Sequence, residues 1–144
     1  ISAWARFDGF GYWTRIIELG TKKQGDYELL IGNQATTDGL AFYAFSTGGS
    51  FSQVTVENAL DKGRWYHIVA TVDRDGWTRL YRNGRKIGES EGKALGNRWR
   101  DVNFLGKANR EKNGLFKGAI DEIGIWSRTL SDDEVRQLYE AGKQ

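Results

Sequence analysis

Short runs of β-branched and aromatic residues recur along the chain between turn signals, most clearly over 1–7, 14–19, 26–32, 39–46, 51–57, 65–73, 77–82 and 102–106. Runs of that length and composition mark strands. The opening stretch Ile1-Ser2-Ala3-Trp4-Ala5-Arg6-Phe7 alternates small or apolar positions with larger ones, as a strand with one inward face does. Trp77-Thr78-Arg79-Leu80-Tyr81-Arg82 is followed by Asn83-Gly84 and then Arg85-Lys86-Ile87. Asn-Gly supplies the positive φ angles of a type I′ turn, so this segment is a tight hairpin. Asp73-Arg74-Asp75-Gly76 marks the preceding turn, after the apolar run Ile68-Val69-Ala70-Thr71-Val72. Residues 65–87 therefore read as a three-stranded meander. The whole rhythm predicts an all-β fold of two antiparallel sheets, a jelly-roll sandwich.

The pattern changes once. Ser131-Asp132-Asp133-Glu134 has the Ser-x-x-Glu spacing of a capping box, and Val135, Leu138 and Tyr139 follow at helical spacing. Acids in the first turn complement the helix dipole, and Gly142 is expected as the C-terminal cap. One short C-terminal helix packed on the sandwich is the prediction. No proline, repeat or linker-like stretch divides the chain, so residues 1–144 read as one domain.

Composition narrows the picture. Nineteen of the 144 residues are Trp, Tyr or Phe, so large rings must fill much of the interior. Cysteine is absent, which removes disulfides and thiolate metal sites. A formal charge of +2, with bases scattered among acids, gives little support for nucleic-acid binding. No apolar stretch approaches the ~20 residues of a membrane helix. The chain opens within a strand-like segment and without Met, which suggests that a preceding segment has been removed.

Three stretches together resemble the laminin-G-like jelly-roll domains of the concanavalin A-like superfamily. They are Ile1-Ser2-Ala3-Trp4; Arg64-Trp65-Tyr66-His67-Ile68-Val69-Ala70-Thr71-Val72-Asp73 continuing through Leu80-Tyr81-Arg82-Asn83-Gly84; and the run from Phe116 through Asp121, Glu122, Trp126 and Ser131. The resemblance implies a binding module of a larger extracellular or cell-surface protein. It also implies one or two further strands before the opening Trp strand, which are lacking here. An unpaired sheet edge beside residues 1–7 would then invite a strand from another chain. Finally, it implies calcium near Asp121, the Asp of a Gly-x-Ile-Asp-Glu stretch; the alternative is an Asp that accepts backbone amides.

Catalysis finds few parts. Retaining glycosidases of this architecture present carboxylates from alternate positions of one strand, but Ala119 and Gly124 stand where the outer acids would be. Adjacent Asp121 and Glu122 are expected on opposite faces. The lone His67 sits in an apolar strand and suits packing better than general-base chemistry or a zinc site. Ligand recognition by aromatics is the stronger reading. Candidate residues are Tyr12 and Trp13 in a glycine-rich turn, Trp77, Arg79 and Tyr81 on one face of their strand, and Arg98 and Trp99 in a polar loop. Each ring has an ordinary alternative as a plug or cover of the sandwich. Arg98, Arg100, Lys107, Arg110 and Lys112 form a basic stretch suited to sulfated glycans, but Asp101 and Glu111 interrupt it and a solvated mixed-charge loop explains it better. The expected ligand is a carbohydrate or glycoprotein. A protein partner without any small ligand, or a remnant catalytic domain, are the other readings.

Overall fold

The alternation seen along the chain becomes two faces of a pleat. A computed structural model describes residues 1–23, 26, 28–46 and 49–143. Among them the chain runs β1 (Ser2–Gly9), β2 (Arg15–Gly20), β3 (Leu29–Asn33), β4 (Leu40–Phe45), β5 (Phe51–Val56), β6 (Trp65–Val72), β7 (Thr78–Arg82), β8 (Arg85–Ser90), β9 (Val102–Leu105), β10 (Lys117–Gly124) and α1 (Asp132–Gly142). Residue 27, within the predicted 26–32 segment, and residue 144 lie outside the described residues. The strands make two five-stranded antiparallel sheets: a helix-backed sheet ordered β10-β1-β6-β7-β8 and an open sheet ordered β5-β4-β3-β2-β9. An all-β two-sheet sandwich with one C-terminal helix is thus what forms.

Both sheets feed one core. Ala3, Ala5 and Phe7 of β1, Ile68 and Ala70 of β6, and Leu80 of β7 face Ile31 of β3 and Leu40, Phe42 and Ala44 of β4, all at most 2% exposed. Small residues on β1 opposite large ones on β4 let the layers interdigitate at interior density. Near the β5 edge the hydroxyls of Ser52 and Thr78 share a buried 2.6 Å hydrogen bond between sheets. On the other side of the helix-backed sheet, Val69 and Tyr81 pack with Leu130 and Val135. Ser131 caps α1 as anticipated: its hydroxyl accepts from the Glu134 amide and the Glu134 carboxylate accepts from the Ser131 amide.

Three local expectations change. β1 is paired on both sides, with β10 and β6, so residues 1–7 offer no free edge. Gly142 is not a left-handed cap but the last helical residue, with extended Lys143 after it. Asp121 and Glu122 do not diverge. The β1–β10 register shifts between Ser2↔Gly124 and Trp4↔Asp121, and Glu122 takes φ 48°, a bulge that sends both acids into one cavity.

His67 is 3% exposed on β6, and burial lowers its pKa from 6.5 to about 4. The unfolded chain therefore binds a proton below pH 6.5 that the folded chain refuses until about pH 4. Stability from this group is present above pH 6.5 and is lost as pH falls, by about 3 kcal/mol at pH 4 at 1.36 kcal/mol per unit. Urea unfolding of wild type and His67→Leu at pH 7 and pH 4 should show a smaller pH loss in the variant; equal losses would contradict the assignment. Phe42→Ala should cost about 3–5 kcal/mol in the same assay, because nothing can collapse into the space between two sheets.

Candidate functional site

β4 reads Leu-Ala-Phe-Tyr-Ala-Phe and is apolar on both faces. Leu40, Phe42 and Ala44 enter the core, so Ala41, Tyr43 and Phe45 must face outward. Phe51 of β5 pairs directly with Phe45, and their ring centroids lie 5.1 Å apart. Tyr43 stacks on Phe45 at 6.3 Å and meets Phe51 at 5.8 Å and the edge of Trp13 at 5.9 Å. Phe51 is 53% exposed and Tyr12 52%. A row of rings thus crosses the outer face of the open sheet, beside a groove of about 260 Å³ lined by Tyr12, Trp13, Arg15, Leu30, Tyr43, Phe45, Arg110 and Asn113.

A tied-down turn holds Trp13 over that row. Its φ is 48°, a left-handed conformation that side-chain-bearing residues adopt only where the surroundings impose it. Here the Trp13 amide donates to the Ala35 carbonyl at 2.8 Å. Asn33, fully buried at the end of β3, donates from Nδ2 to the carbonyls of Gly11 (2.9 Å) and Ala35 (2.8 Å), and its Oδ1 accepts from the Thr14 hydroxyl. Gly32 is required in this arrangement: a Cβ there would collide with the Thr14 carbonyl. The turn can lie on the sheet only because that residue has no side chain.

Under the rings the groove is charged. Arg15 is 5% exposed and pairs with Glu18 at 3.3 Å. Burial pulls its guanidinium below the ordinary value, and the neighbouring Glu18 opposes this. Glu18 also accepts from the Asn109 amide at 2.8 Å, and Arg110 reaches Glu28 at 3.7 Å. Arg15 lies 5.6 Å from the Trp13 ring, in cation–π range. The result is an apolar row flanked by side chains that are already paired and geometrically fixed. Such a surface suits a ligand with one apolar face and several hydroxyls.

The structure brings together Tyr12 and Trp13 but not the other sequence candidates. Arg79 pairs with Asp73 at 2.7 Å and Glu89 at 3.4 Å beside Trp77, which is 36% exposed, on the helix-backed sheet. Tyr81 is 2% exposed because α1 covers it, and its hydroxyl donates to Asp132 at 2.8 Å. It cannot extend an exposed row. Trp99 is 85% exposed in the 91–101 connection with Arg98, and neither lines the groove. The Asp121 carboxylate accepts the Glu122 amide at 2.8 Å. Among the described residues no group of three or more His, Cys, Asp or Glu converges, so calcium, which takes six to eight oxygens, finds one neighbouring carboxylate there. No helix among the described residues is long and apolar enough to cross a membrane.

Comparison with known proteins agrees with the architecture. A laminin-G-type family model, described as the concanavalin A-like lectin/glucanases superfamily, matches residues 1–136. The chain belongs to this superfamily. Pentraxin-related protein PTX3 of Homo sapiens is 28% identical over 137 residues, covering 86% of the chain and 34% of that protein. The chain thus spans about a third of this relative's length. Among solved structures, the CBM40 module of the Ruminococcus gnavus IT-sialidase superposes with TM-score 0.78 at 17% identity, covering 96% of this chain and 81% of that one. Domain 4 of AbnA, a GH43 extracellular arabinanase from Geobacillus stearothermophilus in complex with arabinotriose, gives 0.74 at 20% identity over 96% and 64%. At these identities the superpositions speak for the fold.

Tyr43, Phe45, Phe51 and Arg15 were not among the residues singled out from sequence. A usable signal existed: a strand apolar on both faces, when only one can meet the partner sheet, leaves an exposed row. Asn33→Ala should unfold about 1–3 kcal/mol more easily by leaving buried turn groups unpaired, and should weaken the near-ultraviolet circular dichroism from Trp13. An unchanged tryptophan signal would show that Asn33 does not hold the ring.

Proposed function

We propose that the domain is a non-catalytic carbohydrate-binding module whose ligand lies on the outer face of the open sheet. The observation that carries this reading is the outward row of half-buried Trp13, Tyr43 and Phe45 and exposed Phe51 beside fixed charge pairs. The apolar face of a pyranose or furanose ring stacks on Tyr43 and Trp13, and its hydroxyls reach Arg110, Asn113 and the Tyr12 hydroxyl along the rim. Saccharide-binding modules among the structural neighbours support the reading. The arabinanase among the structural neighbours, which is extracellular, supports an extracellular setting, and the pentraxin-related protein, of which this chain spans about a third, supports a place within a longer protein.

A glycan array carrying arabino-oligosaccharides and sialyllactoses should identify at least one ligand. Tyr43→Ala should weaken it at least tenfold, about 1.4 kcal/mol, without unfolding the domain, whereas Trp99→Ala should leave it unchanged. An array without hits, or loss on replacing Trp99 but not Tyr43, would contradict the proposal.

A further inference from the structure

The row of rings on the open sheet runs further than the groove beside it. Tyr12, Trp13, Tyr43 and Phe45 line that groove together with Arg15, Arg110 and Asn113, but no residue of β5 does. Beyond it, on the edge strand of the sheet, stand Phe51, which is 53% exposed, and Gln53, also exposed. The two alternate along β5 and so share one side of the pleat. Pairing fixes which side: Phe51 lies opposite Phe45 and Gln53 opposite Tyr43, and directly paired residues project from the same face.

β5 thus repeats in small the make-up of the groove, an aromatic ring with a hydrogen-bonding group next to it. The Gln53 amide has no hydrogen-bond partner among the described residues, so its donor and acceptor are both open to a ligand. Phe51 is held in place by Phe45 at 5.1 Å and Tyr43 at 5.8 Å. A second platform therefore exists before any ligand arrives, which lowers the cost of ordering on binding.

Distance decides how large the ligand is. Trp13 stands on the other side of Tyr43 from Phe51: its amide bonds Ala35, past the end of β3, and Arg15 of β2 lies 5.6 Å from its ring, whereas Phe51 belongs to β5. From β3 to β5 is two strand spacings, roughly 10 Å. A pyranose is a six-membered ring of bonds of about 1.5 Å, so its frame is about 3 Å across. One such ring fits the corner where Trp13 and Tyr43 meet at 74°, or it covers Phe51, but it does not reach both.

We infer that the ligand is a chain of linked sugars running across β4 from Trp13 to Phe51, rather than a single terminal sugar. This rests on the saccharide reading of the same face. One unit lies in the groove against Trp13 and Tyr43, and a later unit stacks on Phe51 with a hydroxyl bonded to the Gln53 amide. Two contacts on one chain reinforce each other, because the second forms at the high effective concentration set by the first.

Affinities for arabinose, galactose and glucose, each offered as the single sugar and as its linked di-, tri- and tetrasaccharide, test this. In at least one series the tetrasaccharide should bind the wild-type domain about tenfold or more tightly than the single sugar. Phe51→Leu, which keeps apolar bulk on the edge strand but removes the ring, should bring that ratio to about threefold or less, and Phe51→Tyr should restore it. Gln53→Ala should also lower the ratio, with circular dichroism matching wild type. Tyr43→Ala should weaken every length, because both platforms adjoin that ring. A ratio near one in wild type, or a ratio that neither Phe51→Leu nor Gln53→Ala changes, would overturn the inference and leave the saccharide reading standing. No binding in any series would overturn both.

Discussion

Placing Leu40, Phe42 and Ala44 of β4 between the two sheets commits the alternate residues of that strand to the opposite face, because neighbours on a pleat cannot share a side. Tyr43 and Phe45 are therefore outside in any structure that keeps this core, and Phe51 joins them through its pairing with Phe45. Among the described residues no helix covers that face as α1 covers the other sheet. The core and the candidate site thus follow from one constraint. Apolar surface left open beside a well-packed core lowers solubility and stability for no structural gain, which is why its presence points to a ligand.

The site's rigidity comes from a different source. The turn bearing Trp13 is held by a buried amide, Asn33, at the end of β3, and by the close approach that Gly32 allows. Strain at Trp13 is tolerated because the scaffold beneath is over-determined. The charge pairs Arg15–Glu18 and Arg110–Glu28 act in the same direction. They fix polar side chains before a ligand arrives, so less ordering is left for binding to accomplish.

How much of this was legible in sequence depended on range. The Asn83-Gly84 hairpin and the Ser131 capping box are local devices, and both formed as read. Strand periodicity located most strands within a residue or two. β10, with Gly118 and the Glu122 bulge interrupting its alternation, was not among the runs that periodicity marked, and the same bulge defeated the expectation that Asp121 and Glu122 lie on opposite faces of a strand. Tyr12 and Trp13 were found because aromatics in a glycine-rich turn are conspicuous. Tyr81 looked equivalent to Trp77 on a strand face, and only the packing of α1 distinguishes them. Arg15 and Arg110 are far apart in the chain, and no local pattern reveals that both line one groove.

The most direct test of the central claim is a nuclear magnetic resonance titration of the isotopically labelled domain with a saccharide that it binds. If the outward face of the open sheet is the recognition surface, the largest shift changes fall on Trp13, Tyr43, Phe45 and Phe51 and their neighbours, while residues of the helix-backed sheet stay still. Changes concentrated instead on the 91–101 connection, or on the face of β7, would show that the uncovered row of rings is not where ligand is met.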